Sequence, residues 1–436
     1  MGRSRPVSSP ANAPRRVLFA SLIGTTIEFF DFYIYATAAV IVFPKLFFPA
    51  ADPTSATLQS LATFAIAFFA RPVGAAVFGH FGDRLGRKAT LVAALMLMGF
   101  STVAIGLLPT YAQIGIAAPL LLSLCRLGQG LGLGGEWGGA VLLATENAPK
   151  GREAWYGMFP QLGAPIGFIL SAASFLVLGA LLTDEQFFAW GWRVPFVASA
   201  LLVIVGLYVR LKITETPAFQ ATIDRRERVK TPMLTVLREH GAILSLATIG
   251  ATATFTVFYL MTVFALSWGV STLGYSRGSF LLLQMIGMVV FAVTIPLSAL
   301  YADRAGRATA LLAATAALFL FGFVFEPLFG GGHALEVTLF LALGLGLMGC
   351  TYGPLSAALS ELFPTAVRYT GASLAFNLAG ILGASPAPYL ATWLARTYGL
   401  WAVGLYMSAM AALTGVALLA IARRTRRSRV GLSLAE

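Results

Sequence analysis

The chain of 436 residues is 58% apolar and only 11% charged, whereas an ordinary soluble domain is about 45–50% apolar and about 25% charged. So few charged residues cannot cover the water-facing surface of a body this large, which excludes a soluble globular protein. The length also excludes a protein with a single membrane anchor, because it accommodates twelve spans of about 20 residues each. The net charge of +12 would suit a nucleic-acid partner, so its distribution along the chain decides its meaning.

Apolar runs of about 20 residues predict an all-α polytopic membrane protein with twelve transmembrane helices. In chain order the predicted spans cover residues 17–45, 59–81, 89–108, 113–146, 155–182, 191–213, 241–269, 278–301, 308–328, 334–359, 370–395 and 399–421. The connection at 214–240 is the most polar interior stretch, and it divides the spans six and six. We therefore expect an N-terminal six-helix bundle at 17–213, a cytoplasmic inter-bundle loop at 214–240, a C-terminal bundle at 241–421, and tails at 1–16 and 422–436.

The positions of Lys and Arg predict the orientation. Twenty-four of the 30 basic residues lie in the tails or in alternate connections, and the opposite set of connections holds only Arg277 and Arg396. Because basic residues are retained in cytoplasmic loops, both termini are predicted to be cytoplasmic, in a multi-pass protein of the inner membrane. This asymmetry explains the positive charge without a nucleic-acid partner. The scattered histidines and two cysteines form no ligand spacing, so no metal and no cofactor is expected.

Two short motifs recur in the second half, which indicates an internal repeat. The turn at 79–88 returns at 299–308, and Glu146-x-x-Pro149-x-x-Arg152 is echoed by Glu361-x-x-Pro364-x-x-x-Arg368. Both pairs lie on the same side of the membrane, so the two bundles are predicted to be parallel repeats. Each of the two turns contains an aspartate among its basic residues, Asp83 in the first and Asp303 in the second. This favours a latch between the bundles over a loop that only sets the membrane topology. The predicted gating residues are Gly79, Asp83, Arg84, Gly86, Arg87, Glu146, Arg152, Asp303, Arg304, Arg307, Glu361 and Arg368.

Five ionisable residues fall deep within predicted spans of the first half: Glu28, Asp31, Arg71, Arg126 and Glu136. Each costs about 2.5–3.5 kcal/mol at a helix centre, so they must pair or face water. Static ion pairs that join helices are one interpretation, and a proton site is the other. The carboxylate left without an Arg partner is the natural proton acceptor. We expect Asp31 first, then Glu28 or Glu136, to bind the coupling proton beside Arg126.

The guanidinium groups of Arg71 and Arg126 are suited to a substrate carboxylate. The predicted substrate-binding set adds uncharged polar residues of both halves: Tyr33, Tyr35, Gln129, Gln161, Tyr259, Tyr352 and Asn377. The runner-up substrate is a zwitterionic amino acid or osmolyte whose ammonium would lie near Asp31 or Glu136.

The glycine run at 128–139 favours close helix packing over solute contact. The Gly and Pro residues near 163–167 and 380–388 predict bends in their helices.

Several of these motifs resemble the major facilitator superfamily, and within it the metabolite:proton symporter family. The residues that carry the resemblance are Glu28-Phe-Phe-Asp31-Phe-Tyr33, Phe69-Ala-Arg71-Pro72-Val-Gly74, the turn at 79–88, Arg126-x-x-Gln129-Gly130, Gly134-Gly135-Glu136-Trp137-Gly138-Gly139, Gly191-Trp192-Arg193-Val-Pro195-Phe196 and Glu215-Thr216-Pro217. The resemblance covers about 17–420 and implies twelve helices, alternating access and proton-coupled uptake of a metabolite. Family members carry organic acids such as shikimate, 2-oxoglutarate and citrate, or zwitterions such as proline and betaine. The second-half turn departs from the pattern at Ala299, Ala302 and Ala308.

A secondary transporter is the leading class of membrane protein for this pattern, and three other classes are disfavoured. A pump would need a nucleotide site, and the chain has no G-x-x-x-x-G-K-[ST] motif. An intramembrane enzyme would need a nucleophile and base constellation, and a channel would not need a repeated latch. The sequence therefore predicts a monomeric proton symporter, not an enzyme, whose partners are a small carboxylate-bearing metabolite, the proton and the bilayer.

Overall fold

The computed structural model describes the backbone of residues 14–49, 52–85, 87–211, 232–364 and 367–433. Within these ranges the side chains at 14–17, 79–91, 209–210 and 425–433 are not described. All regular elements of the described residues are helices, which agrees with the predicted fold class.

The helices of the first half follow the predicted spans. They are α1 (Pro14–Ile41), α2 (Phe43–Leu46), α3 (Pro53–Leu85), α4 (Arg87–Leu107), α5 (Tyr111–Ile114), α6 (Ala117–Gly134), α7 (Trp137–Glu146), α8 (Glu153–Leu181), α9 (Asp184–Ala189) and α10 (Val194–Leu211), with a 3-10 turn at Gly191–Arg193. Asp52 begins α3: its carboxylate accepts hydrogen bonds from the backbone N–H groups of Ser55 and Thr54. These bonds, together with one from the Ser55 hydroxyl, hold the pKa of Asp52 below its ordinary value.

The second half begins with a short connecting helix. Its helices are α11 (Pro232–Glu239), α12 (Gly241–Tyr259), α13 (Ala265–Ser271), α14 (Arg277–Ala305), α15 (Arg307–Phe321), α16 (Phe325–Phe329), α17 (Ala334–Glu361), α18 (Arg368–Gly383), α19 (Ala387–Thr397) and α20 (Leu400–Ser433), with a π-helix at Leu260–Phe264 and a 3-10 turn at Gly322–Val324. Ten helices of the described residues are long and apolar enough to cross a membrane, and Val92–Leu107 is a shorter apolar helix. The predicted fourth span is covered by α6 and α7 together.

Several spans are interrupted, and two helices extend the prediction. The first span breaks between Ile41 and Phe43, and the fourth breaks between Gly134 and Trp137. The seventh contains the π-helix, and the ninth contains the 3-10 turn at Gly322–Val324. The eleventh breaks between Gly383 and Ala387, where bends were predicted. The fifth, in contrast, is one helix that continues through Pro160 and Pro165. Helix α11 lies inside the predicted 214–240 loop, and α20 continues into the predicted tail. Their residues are ordinary helix formers that the hydropathy criterion ignores, because it detects apolar runs rather than helices.

The two halves meet mainly where α8 packs on α14 and α17 and where α3 packs on α18. Within the first half, glycines let α3 and α6 approach closely. A Cβ atom on Gly134 would lie 1.9 Å from the Arg71 carbonyl oxygen, and one on Gly74 would lie 2.0 Å from that of Leu131. The predicted packing role of the fourth-span glycines is therefore confirmed. This contact places the backbone of Arg71 directly against α6.

Candidate functional site

A cavity lies between the halves at the level of the buried charges. Its wall comes from α1, α3, α6, α7 and α8 on one side and from α12, α17 and α18 on the other. The lining residues are Glu28, Phe29, Tyr33, Arg71, Leu133, Trp137, Ala164, Thr254, Phe255, Phe258, Tyr259, Met348, Tyr352, Phe376 and Asn377. The wall is therefore mostly aromatic, with a few polar groups, as is typical of small-molecule sites.

The cavity is nearly closed. About 20 Å³ is open to the centre of a water molecule, and one water needs about 10–15 Å³. A metabolite of ten or more heavy atoms does not fit this space. Binding therefore requires the halves, or the aromatic side chains between them, to separate.

Glu28 and Arg71 are the charged residues of this wall, and they are 3% and 5% exposed. The Arg71 guanidinium carbon lies 4.8 Å from the centre of the Phe32 ring and 5.0 Å from that of Phe68. These cation–π contacts hold the guanidinium at the wall. The charged groups of the cavity wall are thus one carboxylate and one guanidinium.

Asp31 lies behind the wall, between helices of the first half. Its Oδ1 accepts a hydrogen bond of 2.5 Å from the Ser199 hydroxyl on α10, and the Thr102 hydroxyl on α4 is a second neighbour. Gln129 on α6 donates to Thr102 Oγ1 at 2.8 Å and accepts from Arg126 Nη1 at 2.9 Å. Polar side chains therefore lie between Asp31 and Arg126 within the first half.

Arg126 is fully buried, and no carboxylate of the described residues lies within ion-pair distance of it. Its guanidinium carbon instead lies 4.3 Å, 4.0 Å and 4.7 Å from the ring centres of Phe32, Tyr35 and Phe64. The Tyr35 hydroxyl is in turn hydrogen-bonded to Thr63 Oγ1 at 2.7 Å. Aromatic faces surround this buried cation.

The structure separates the predicted substrate residues. Five of them line the cavity: Arg71, Tyr33, Tyr259, Tyr352 and Asn377. Glu28, which was predicted as a proton site, lies in the same wall. Gln161 lies at its edge, where it donates to the Tyr352 carbonyl oxygen at 3.1 Å and accepts from the Trp137 indole at 3.2 Å. Tyr35, Arg126 and Gln129 do not reach the wall: they belong to the inner network with Asp31. Successive residues of α1 are about 100° apart around the helix axis. Phe29 and Tyr33 therefore lie to one side of Glu28 and face the cavity, whereas Asp31 and Tyr35 lie to the other side.

Glu136 is buried at the interruption between α6 and α7, where its backbone carbonyl accepts the first hydrogen bonds of α7. It is 2% exposed and is not part of the cavity wall. The interruption itself lies beside the second half, since the Tyr369 hydroxyl donates to the Gly135 carbonyl oxygen at 2.8 Å.

On the predicted cytoplasmic side, the second-half turn contacts the first half directly. Asp303 accepts hydrogen bonds from the backbone N–H groups of Ala154 and Trp155, at 3.0 Å and 2.9 Å, and so caps α8. Arg307 pairs with Glu153 at 2.8 Å and also with Glu361. Charged groups from both halves therefore meet at this end. Sequence reasoning missed Glu153, whose position in the first turn of α8 was the available signal.

The other predicted gating residues make fewer contacts or fall outside the described residues. The side chains of Gly79, Asp83, Arg84 and Arg87, and Gly86 as a whole, lie outside the described part of the chain. Arg152 and Arg304 are exposed, and Glu146 ends α7. Arg368 begins α18 and donates to the Phe363 carbonyl oxygen at 3.2 Å.

At the opposite end of the α8 and α14 interface, Arg277 pairs with Asp184 of α9. Its guanidinium carbon lies 4.9 Å and 5.1 Å from the rings of Phe187 and Phe188. A cleft of about 260 Å³ lies beside this pair, between Phe175 and Leu281 among others. Contacts between the halves thus occur on both sides of the cavity.

Sequence reasoning also missed the residues that close the cavity and complete the inner network. The rings of Trp137 and Phe376 stack across the halves with centroids 3.7 Å apart. Ser199 and Thr102 gave no signal, because a single hydroxyl in an apolar run most often bonds its own helix.

Comparisons with known proteins agree with this architecture. Residues 17–249 match the model of the family "Sugar (and other) transporter". The inner membrane metabolite transport protein YhjE of Escherichia coli K12 is 60% identical over 94% of both chains. The shikimate transporter of the same strain is 35% identical over 91% of both, and the proline/betaine transporter of Salmonella typhimurium is 33% identical over 88% of this chain and 78% of its own.

Among solved structures, the xylose transporter XylE from E. coli, in a partially occluded inward-open conformation, superimposes with a TM-score of 0.72 at 16% identity. The match covers 92% of this chain and 96% of that one. The matched proteins are transporters rather than enzymes. This chain therefore belongs to the sugar (and other) transporter family, and it is a multi-pass metabolite transporter of the major facilitator superfamily.

Proposed function

We propose that this protein is a proton-coupled symporter that imports a small carboxylate-bearing metabolite across the inner membrane by alternating access. The observation that carries the proposal is the pairing of two sites in the first half: Arg71 in the cavity wall, and Asp31 in the network behind it. The relative that transports shikimate, an organic acid, supports the same substrate class. In this proposal the chain acts as a monomer with twelve spans and both termini in the cytoplasm.

Arg71 is the proposed partner of the substrate carboxylate. Its guanidinium faces a water-poor cavity with aromatic walls, where a charge-assisted hydrogen bond is stronger than in water. An anion bound at Arg71 would be repelled by the Glu28 carboxylate, which lies in the same cavity wall. Uptake of a proton by the first half keeps the sum of the buried charges near neutral, which gives a physical reason for cotransport.

Asp31 is the proposed proton carrier. It is completely buried, and its Oδ2 has no hydrogen-bond partner among the described residues. A buried carboxylate oxygen without a donor favours a bound proton. Because Asp31 stands behind the wall rather than in it, substrate and proton would bind at separate places that the same helix, α1, connects.

A zwitterionic substrate is the second candidate. Glu28 in the cavity wall favours it, because a carboxylate beside aromatic faces suits an ammonium group. The ammonium partner in this alternative is Glu28, since Asp31 and Glu136 do not line the cavity.

The proposal is tested in two stages. Thermal unfolding of the purified protein is measured with shikimate, citrate, 2-oxoglutarate, proline and glycine betaine, because a ligand stabilises the folded protein by mass action. Uptake of the most stabilising compound is then measured in proteoliposomes with and without an inward proton gradient. Faster uptake with the gradient, lost in Asp31→Asn, is the expected result. Equal uptake with and without the gradient would contradict symport.

A further inference from the structure

The cleft beside Arg277, which we call the lateral cleft, lies where α8 of the first half passes α14 of the second. Its back wall is apolar and consists of the buried side chains Ile41, Phe175, Phe187 and Leu281. About 260 Å³ is open inside it, against about 20 Å³ in the central cavity. The lateral cleft therefore has room for a ligand group while the two halves stay in place.

The mouth of the lateral cleft lies among residues that face lipid. On α8 its rim is formed by Gly179 and Ala180, and a Cβ atom on Gly179 would meet no other atom within 4 Å. Val177 and Leu181 beside this rim, and Leu282 on α14, are exposed. Exposed apolar side chains on membrane-spanning helices contact acyl chains, which are as apolar as leucine. An acyl chain can therefore enter the cleft sideways from the bilayer.

A cation stands at one end of this apolar cleft. The Arg277 side chain lines the cleft, is 27% exposed, and pairs with Asp184 through Nη2. Its Nη1 has no hydrogen-bond partner among the described residues. Because a guanidinium carries five donors, and buried donors without acceptors are costly, this group has capacity for a further oxygen ligand.

Two further features favour an anion at this end of the cleft. The Lys45 Nζ lies 4.5 Å from the centre of the Phe188 ring, and the Arg277 guanidinium carbon lies 5.1 Å from the same ring. Helix α14 begins at Arg277, and Ser276 and Gly278 at its start are part of the cleft wall. The backbone N–H groups and the dipole of a helix N-terminus attract negative charge. Basic residues are few on this side of the predicted topology, so the approach of two of them to one ring calls for a separate reason.

We propose that the lateral cleft binds a glycerophospholipid of the leaflet opposite the predicted cytoplasmic side. One acyl chain lies against the apolar back wall, and the phosphodiester lies at Arg277. A free phosphate or carboxylate would use the cation but leave the apolar wall in water, whereas a phospholipid satisfies both. The combination of wall and cation therefore favours the lipid over a soluble anion.

The bound lipid contacts both halves at once, because α8 and α9 belong to the first half and α14 belongs to the second. A ligand that binds one conformation more tightly shifts the population toward it. The lipid therefore stabilises the arrangement in which the halves are closed at this end and in which Arg277 is paired with Asp184.

The test locates the lipid by photo-cross-linking. The full-length protein in detergent micelles is titrated with phosphatidylglycerol that carries a diazirine in one acyl chain, and the labelled residues are identified by mass spectrometry. Labelling of Phe175 and Leu281 in the wall is compared with labelling of Val177 and Leu282, which any lipid can reach. In Arg277→Gln we expect the lipid fraction that half-saturates the wall residues to rise about tenfold, because a hydrogen bond to a charged group is lost.

Three variants separate phosphate binding from other effects. Arg396→Gln removes an exposed basic residue that is predicted on the same side, and it should leave the half-saturation unchanged. Asp184→Asn breaks the same ion pair but keeps Arg277, so the wall should be labelled at least as strongly as in the wild type. If Arg277→Gln does not accumulate, Ala180→Trp fills the cleft without changing its charge and should reduce labelling of the wall.

Unlabelled phosphatidylglycerol should compete with the photoreactive lipid, whereas inorganic phosphate and dioleoylglycerol should not. Competition by inorganic phosphate alone would show a site for a soluble anion and would overturn the inference. Equal half-saturation in the wild type, Arg277→Gln and Ala180→Trp would also overturn it, as would equal loss of labelling in Asp184→Asn and Arg277→Gln. These measurements use neither substrate nor a proton gradient, so their outcome is independent of the proposed symport.

Discussion

Trp137 of the first half stacks on Phe376 of the second, with ring centroids 3.7 Å apart and ring planes inclined by 9°. Both rings line the cavity, and Trp137 is fixed from behind by its indole hydrogen bond to Gln161. The stack therefore joins the two halves at the cavity wall. We expect it to close the cavity toward the predicted cytoplasmic ends of the helices.

Removal of one ring should open the cavity toward the cytoplasm. A stacked aromatic pair is worth about 0.5–1.5 kcal/mol beyond its buried area, so Phe376→Leu should raise the open population by roughly two- to tenfold. The measurement is the labelling rate of Ala164→Cys in the cavity wall by an impermeant maleimide added to inside-out vesicles, with Cys125 and Cys350 replaced by Ala. Trp401→Leu, at a side chain that is 52% exposed, is the control. Labelling as slow as in the control would show that the stack does not close the cavity.

Asp303 provides a second contact between the two halves, and this contact depends on the negative charge of its carboxylate. The Asp303 carboxylate caps α8 from the other half, and a charged cap at a helix N-terminus is worth about 1 kcal/mol. In Asp303→Asn we expect about fivefold faster labelling of the same cavity cysteine, because the end of α8 is held less firmly to α14.

Arg304→Gln is the control for this experiment, since Arg304 is an exposed neighbour. High salt should reduce the difference between wild type and Asp303→Asn, because screening weakens the interaction of the carboxylate with the helix dipole. If the cavity cysteine is labelled at the same rate in Asp303→Asn and in Arg304→Gln, the cap contributes to the stability of the protein but does not hold the cavity closed.

The sequence predicts the charged residues of the first half because they stand out from their surroundings. A carboxylate or guanidinium in a run of apolar residues is costly in a membrane, so its presence alone signals a role. Hydropathy likewise identifies the spans, and the repeated motif locates Asp303 and Arg307. These features depend on composition and spacing, which a sequence displays.

The aromatic contacts could not be predicted in this way. Phe64 and Phe376 lie in apolar runs, where any aromatic residue satisfies the lipid or the core, so nothing in the sequence distinguishes a ring that holds a cation from one that fills space. The separation of Asp31 from the cavity wall depends on the rotation of α1 against its neighbours. That rotation is set by tertiary packing, which the spacing of residues on one helix does not determine.

The charge of the substrate can be tested with a pair of ligands of the same shape. Glycine betaine and tert-butylacetate differ in that a quaternary nitrogen replaces a carbon. If the site selects a carboxylate through Arg71, both ligands should stabilise the protein equally against thermal unfolding, and Arg71→Lys should weaken both. The loss should be roughly tenfold or more in affinity, since a hydrogen bond to a charged group is worth about 1.5–3 kcal/mol.

Glu28→Gln separates the two substrate classes. A zwitterion site would bind betaine more tightly than its anionic isostere, tert-butylacetate, and this preference would disappear in Glu28→Gln, because the carboxylate and the aromatic faces recognise the cation. A preference for betaine that survives in Glu28→Gln would contradict the role of Glu28. Equal binding of both ligands by the wild type would exclude the zwitterion alternative.

Gln284 stabilises the irregular part of the seventh span. Its Nε2 donates to the carbonyl oxygens of Met261 and Thr262, at 3.0 Å and 2.7 Å, within the π-helix. A π-helical turn changes the hydrogen-bonding pattern of an α-helix and is often found at functional positions. Gln284 is fully buried, so these bonds replace water for the two carbonyl groups.

Gln284→Leu should therefore remove the side-chain donor of two buried carbonyl oxygens, of which that of Thr262 keeps the Ala265 backbone N–H, at a cost of about 1–3 kcal/mol. We expect the thermal midpoint to fall by several degrees and amide hydrogen exchange to become faster at 260–266 than in the rest of the span. Met288→Leu, one helical turn further on α14 and equally buried, is the control for packing, because a volume-conserving apolar exchange costs less than about 1.5 kcal/mol. If exchange at this segment is the same in both variants, the π-helix is maintained by packing of α12 and α13 rather than by Gln284.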